Sequence, residues 1–197
     1  MTKVNRTQYV ILGLLSHSPL SGYDIRRVIE ENFNYFWVES YSQIYPTLKK
    51  LTEKGLTTVT TETQEGKPDR KVYTITAKGL TELRSWLSQP PVPETRRIEL
   101  LLKLTFGKQV DSTIMEAHVK KELVQLQEMQ QGLKGIESVL LAIDSNELEP
   151  LYQLMNVRYG LTVTQALVEW ANQSLELFKE IKQREKQQHD NKKENEL

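Results

Sequence analysis

The chain has no cysteine among its 197 residues. A disulfide framework and a thiolate metal site are therefore excluded. Its three histidines, His17, His118 and His189, lie far apart, with no carboxylate at metal-ligand spacing near them, so no metal is expected. No apolar run approaches the roughly 20 residues that span a bilayer. No small-residue cleavage pattern follows the apolar stretch near the N-terminus, so no signal peptide is expected and a cytoplasmic location is. The glycines include isolated ones such as Gly66 and Gly79 but form no phosphate-cradling loop. Ser16-His17-Ser18 precedes Pro19 and lacks the strand–elbow–helix setting of a nucleophilic serine. No residue stands out as catalytic and no cofactor is expected, which leaves an enzyme the least supported class. An excess of one charge sign is also missing, with 26 Lys+Arg against 26 Asp+Glu. The distribution says more than the total. Residues 1–89 carry 12 basic and 9 acidic side chains, and residues 90–197 carry 14 and 17. That asymmetry fits a first half that meets nucleic acid.

The richest stretch runs from Ser42 to Thr76. Ile44, Leu48 and Leu51 stand at i, i+4 and i+7 and form one buriable helical stripe. Gly55 ends that helix, with Lys54 in the last turn, where the dipole favours a cation. Pro46 has no N–H and is tolerated only where the N–H groups are unpaired, so the helix is expected to begin near Ser42. Gln43, Tyr45, Thr47, Lys49 and Lys50 are left off the stripe. A helix in the major groove reads bases with its N-terminal residues, which suits Gln43 and Tyr45, while Lys49 and Lys50 suit phosphates. Thr57–Thr63 reads as a strand. Lys71–Thr76 alternates, with Val72, Thr74 and Thr76 on one side and Lys71, Tyr73 and Ile75 on the other. Gly66, Pro68 and Asp69 supply the turn between the strands, and Lys67, Arg70 and Lys71 charge its tip. A solvated surface helix is the plain alternative for the helix alone; the basic hairpin beside it favours a phosphate footprint.

Before this stretch, Thr7–Ser16 reads as a helix buried on most sides. Ser21-x-x-Asp24 has the spacing of an N-cap, opening a helix that buries Ile25, Val28, Ile29 and Phe33. The aromatic cluster Phe33, Tyr35, Phe36 and Trp37 follows. After the hairpin, Thr76 caps a helix carrying Leu80, Leu83 and Leu87. The predicted fold is mainly α: a winged helix-turn-helix over residues 1–89, a Pro-rich linker at 90–94, a long-helix dimerisation and effector domain at 95–182, and a charged, disordered tail at 183–197. Within 95–182, a short helix Thr95–Phe106 presents Ile98, Leu101, Leu102 and Thr105. A long helix Ser112–Ile143 carries Val119, Leu123, Leu126, Met129, Leu133, Ile136, Leu140 and Ile143. A second long helix starts near Pro150. There Leu154, Leu161, Val168 and Leu175 recur every seven residues, and Val157, Thr164, Ala171 and Phe178 fill the intermediate row. Such helices look like an antiparallel pair packing on a partner chain, with Leu126, Leu133, Leu140, Leu154, Leu161, Val168 and Leu175 at the seam; a hairpin within one chain is the alternative.

Several motifs together resemble the PadR family of bacterial transcriptional regulators. They are Ser21-Gly22-Tyr23-Asp24-Ile25, Ser42-Gln43-Ile44-Tyr45-Pro46-x-Leu48-Lys49-Lys50-Leu51-Thr52, Gly55-Leu56, and Arg70-Lys71-x-Tyr73-x-Ile75-Thr76-x-x-Gly79-x-x-x-Leu83. The strong match covers about residues 7–88, and the long helices resemble the family's long form. The resemblance implies a homodimeric repressor on a pseudo-palindromic operator, released by a small aromatic effector such as a phenolic acid. Its DNA contacts carry over to Gln43, Tyr45, Pro46 and Lys49, and in the wing to Lys67, Arg70, Lys71 and Tyr73. Phe33, Trp37, Trp86 and Trp170 are candidates for an effector pocket at the domain boundary, with core packing as the alternative. Two other readings stay open: a regulator of a multidrug exporter answering a drug-like ligand, and a protein–protein adaptor with no salt-sensitive DNA affinity. No membrane partner is expected.

Overall fold

In the computed structural model, which describes residues 6–33, 36–37, 41–64, 67–93, 97–144 and 146–195, the chain opens with α1 (Thr7–His17). A two-residue strand β1 (Leu20–Ser21) leads into α2 (Gly22–Asn32). The expected cap is present. The Ser21 hydroxyl oxygen accepts from Asp24 N–H at 3.2 Å, and the Asp24 carboxylate accepts from Ser21 N–H at 3.0 Å. This reciprocal pair satisfies two N–H groups that the helix leaves open.

A 3-10 turn, Tyr41–Gln43, runs into α3 (Ile44–Glu53). Pro46 therefore falls in the first turn, where its missing N–H costs nothing. Gly55 adopts φ 68°, a region open chiefly to glycine. It donates to Thr52 O at 2.9 Å while Leu56 N–H reaches back to Leu51 O at 2.9 Å, which closes the helix C-terminus. The strands β2 (Thr57–Gln64) and β3 (Lys67–Ile75) pair antiparallel, from Thr57 opposite Ile75 to Gln64 opposite Lys67. The sequence predicts two strands. The third, β1, joins the far edge of β3 with Leu20 opposite Tyr73 and Ser21 opposite Val72. It is too short to show a period-2 pattern.

α4 (Ala77–Leu87) is capped by Thr76. Its buried residues are Gly79 and Leu83, whereas Leu87 is exposed. Ile11, Leu12, Leu15, Ile25, Ile29, Ile44, Leu48, Leu51, Leu56 and Leu83 make one core. Burying each such side chain contributes about 2 kcal/mol. Val28 and Phe33 are only half-buried. Tyr35, Gly66 and Thr95, which bear on the aromatic cluster, the hairpin turn and the short helix, lie outside the described residues.

The chain folds as two units, residues 1–94 and 95–197. The second holds α5 (Glu99–Thr105), α6 (Ser112–Leu141) and α7 (Glu149–Asn195). α6 and α7 run antiparallel. Ser112 donates to Glu185 at 2.7 Å, Gln130 to Gln165 at 2.7 Å and Arg158 to Glu137 at 3.1 Å, with Lys182 on Glu116. Leu126, Leu133 and Leu140, predicted at a chain–chain seam, are instead buried inside this hairpin, Leu133 to 3 % exposure. On α7 the deeper row is Val157, Thr164, Ala171 and Phe178, while Leu154, Leu161, Val168 and Leu175 are half-buried. A heptad repeat serves a seam within a chain and one between chains equally well, so periodicity could not assign these rows. Met129 and Ile143 are exposed.

On α5 the face turned to α6 is Leu100 and Leu104, whereas Ile98, Leu101 and Leu102 are exposed. Consecutive leucines give this helix two apolar faces, and the sequence pattern singles out the outward one. The segment predicted as a disordered tail continues α7 to Asn195. Its Lys, Glu and Gln are good helix formers and extend a helix already nucleated. Among the described residues, no helix is long and apolar enough to cross a membrane.

Thr164 is 3 % exposed, yet its hydroxyl donates only to its own helix, to Gly160 O at 2.8 Å and Leu161 O at 3.1 Å. No cross-helix partner depends on it. Thr164→Val should therefore leave urea stability unchanged or raise it by up to about 1 kcal/mol. A loss of that size would mean that the hydroxyl serves another chain.

Candidate nucleic-acid interface

The apolar stripe of α3 fixes which side faces outward. With Ile44, Leu48 and Leu51 in the core, Gln43, Tyr45, Pro46, Lys49 and Lys50 are exposed. Thr47, expected outside, is 3 % exposed. It stands three residues from Ile44 and four from Leu51, on the same face, and its small side chain fits where a lysine would not.

Tyr45 is 58 % exposed, but one ring edge is held. A Cβ at Gly22 would fall 2.6 Å from Tyr45 Cε1. Only a glycine at the first position of α2 lets the Tyr45 ring lie there. Tyr73 packs against the core while lining the same surface. Burial pushes its hydroxyl pKa up, and Tyr45 adds to the effect.

These elements enclose an open cleft of about 1400 Å³ between the start of α2, the outer side of α3 and the β2–β3 hairpin. Of the predicted DNA contacts, Tyr45, Lys49, Arg70, Lys71 and Tyr73 line it. Pro46 and Lys50 sit on α3 and Gln43 in the 3-10 turn just before it, all three outside the cleft lining. The backbone of Lys67 belongs to β3, and its side chain lies outside the described ones. Sequence reasoning missed Gly22, Tyr23, Asp24, Arg27 and Asp69, which also line the cleft. Ser21-x-x-Asp24 was legible as a cap, and nothing local told that the capped end faces the hairpin.

The charges are not all free. Lys49 approaches Glu53 at 3.9 Å, both well exposed, a pair of little strength. Arg70 forms an ion pair with Asp24. Burial would raise the Asp24 pKa, but hydrogen bonds from Ser21 and the Arg70 charge outweigh it and hold the carboxyl below its ordinary value. The stabilisation it gives is thus present at neutral pH and fades as pH falls through that depressed value. Lys50 and Lys71 make no ion pair among the described residues.

The four aromatics proposed for an effector have structural partners. Trp86 stacks on Tyr9 with centroids 4.5 Å apart and planes 6° apart. Phe33 meets Phe36 at 5.6 Å, and the Arg6 guanidinium lies 5.9 Å from the Trp37 ring centre. These belong to the first unit. Trp170, in the second, packs against the Met115, Val119, Ala171 and Phe178 cluster. Among the described residues, no group of three His, Cys, Asp or Glu could hold a metal ion.

Residues 11–85 match the transcriptional regulator PadR-like family, and residues 96–179 match the virulence activator alpha C-term family. The chain is 41% identical over 128 residues to the negative transcriptional regulator PadR of Bacillus subtilis (strain 168), which covers 62% of this chain and 70% of that protein. It is also similar to the crystal structure of Bacillus subtilis PadR in complex with operator DNA, with a TM-score of 0.72 and 33% identity over 87% of this chain and 98% of that one. The structure of the same Bacillus protein with p-coumaric acid matches with a TM-score of 0.68 and 32% identity, over 87% and 98%. Likeness of this degree through both units makes the chain a member of the PadR-like family of transcriptional regulators.

Proposed function

We propose that the chain is a sequence-specific DNA-binding repressor, acting as a homodimer on a pseudo-palindromic operator and released by a small aromatic effector of the phenolic-acid class. The observation that carries this reading is the outer side of α3. Gln43 and Tyr45 stand exposed at its N-terminal end, with Lys49 and Lys50 one turn on and the basic hairpin beside them. A helix of 10 residues is about 15 Å long and fits a major groove about 12 Å wide. In this reading Gln43, Tyr45 and Pro46 meet base edges and the sugar–phosphate backbone, and Lys50 and Lys71 meet phosphates. Two copies, their recognition helices about one helical turn apart, would read the two half-sites.

The second unit supports the dimer. Leu101, Leu102 and Phe106 on and just after α5 are exposed, as are Tyr152, Met155 and Tyr159, which share one face of α7. Large apolar side chains left exposed together on one helix face fit a contact between chains. A DNA-binding regulator of this kind works in the bacterial cytoplasm. The p-coumaric acid complex of the Bacillus protein supports the effector class.

The test is binding of the full chain to labelled DNA from immediately upstream of its own and neighbouring genes. It is run across a salt series with and without a panel of phenolic acids, and the mass of the free protein is measured alongside. Tight binding that weakens steeply with salt, release by one of the acids and a mass twice 22.9 kDa are expected. Binding no tighter than to unrelated DNA would overturn the repressor reading in favour of an adaptor. Binding that no phenolic acid disturbs would overturn the effector class alone.

A further inference from the structure

One carboxylate oxygen in the cleft carries three loads. Asp24 Oδ2 accepts the Ser21 N–H at 3.0 Å and the Ser21 hydroxyl at 2.7 Å, and it pairs with the guanidinium of Arg70. Asp24 belongs to the first turn of α2 and Arg70 to β3, 46 residues later. Among the described residues, β1 pairs with β3 only at Val72 and Tyr73. Beyond Val72 toward the tip, β2 and β3 pair only with each other among the described residues. The Arg70 side chain spans this gap. Among the described residues it makes the one ion pair that ties the hairpin to the helical body. The Asp24 side chain is 15% exposed and that of Arg70 41%, so the acceptor is enclosed. Stripping its cation would leave a negative charge at the wall of a cleft that must admit phosphates.

We propose that Arg70 serves DNA binding as a positioning residue, a strut that Asp24 anchors and that fixes the wing against the start of α2, rather than as a phosphate contact. This rests on the DNA-binding reading and deepens it. Asp24, which sequence reasoning treats only as a cap, thereby becomes part of the recognition surface. Of the wing's cations with described side chains, Lys71 is left to meet phosphate, its charge uncompensated among the described residues.

The two roles predict opposite signs. If Arg70 were a phosphate ligand, Asp24 would compete with DNA for it, and Asp24→Asn would tighten binding. The strut predicts that Asp24→Asn and Arg70→Gln each weaken binding about fivefold, the scale of a part-exposed ion pair. It also predicts that the double variant is no worse than either single one.

The probe is DNA selected from a random-sequence library by the full-length wild-type chain, titrated over a salt series. Under the strut, Arg70→Gln leaves the log–log salt slope unchanged. Lys71→Gln lowers it by about 0.9 for each phosphate left without its cation. Arg70→Gln spares the Ser21–Asp24 cap, so its result stands even if Asp24→Asn loosens α2, which thermal unfolding of each variant reports. Tighter binding by Asp24→Asn, additive losses, or a slope that falls with Arg70→Gln would overturn the strut while leaving the repressor reading intact. A wild-type chain that selects no DNA would overturn both.

Discussion

Gly79→Ala should unfold the first unit at markedly lower temperature, although alanine is the better helix former. Gly79 lies in the first turn of α4, where a Cβ would fall 2.1 Å from the Leu56 carbonyl oxygen and 3.1 Å from its carbon. That carbonyl cannot swing aside. It accepts from Thr76 N–H at 3.0 Å, while the Thr76 hydroxyl donates to Gly55 O and Lys78 Nζ to Lys54 O, both at 2.8 Å. Three bonds thus clamp the end of α3 to the start of α4, and the glycine is what lets the two backbones close. Overpacking against an immobile backbone costs about 3 kcal/mol. Helix propensity returns about 1 kcal/mol. The net loss of about 2 kcal/mol should lower the melting temperature of the unit by about 10 °C. Gly13→Ala in α1 is the control, because nothing lies within 4 Å of the added Cβ; it should be neutral or stabilising. If Gly79→Ala melted no lower than wild type, the close approach of α3 and α4 would be wrong. The recognition helix would then be held by its apolar stripe alone.

The double variant Lys50→Ala/Lys71→Ala should lose much of its salt-sensitive binding while folding normally. Both side chains are exposed and neither is in an ion pair among the described residues, so the fold loses nothing when they are truncated. A dimer forfeits four charges. If all meet phosphates, the salt slope should fall by about 3.6, and affinity near physiological salt on the order of 100-fold. Lys49→Ala should do less, because a dimer then forfeits two charges rather than four. Titration of a labelled fragment at several salt concentrations, with circular dichroism as the check on folding, decides it. An unchanged slope would remove both lysines from the interface and shift the footprint to α2 and Arg27.

Local patterns were legible wherever one residue's neighbours along the chain settle its fate. The i, i+4, i+7 spacing of Ile44, Leu48 and Leu51 dictates which side of α3 is buried, and so which side can carry Gln43, Tyr45, Lys49 and Lys50. Ser21 and Asp24 are three residues apart, so the cap could be read from their order alone. Gly55 ends α3 because few other residues tolerate its backbone angle. The family motif runs through these same residues, Ser21 to Ile25 and Ser42 to Leu56 among them.

The remainder depended on groups distant in sequence. Arg70 reads as one more basic residue at a hairpin until Asp24, 46 positions away, is found against it. Gly22 looks like the start of a helix until the Tyr45 ring is found over it. Leu126, Leu133 and Leu140 obey a heptad that cannot say whether the opposing helix belongs to the same chain, and α5 carries apolar faces on both sides. Periodicity and capping are properties of a single helix, and the order of its residues prescribes them. Which partner a face or a charge finds is settled by competition among all the surfaces of the folded chain, where burial and pairing act across space and sequence separation carries no weight.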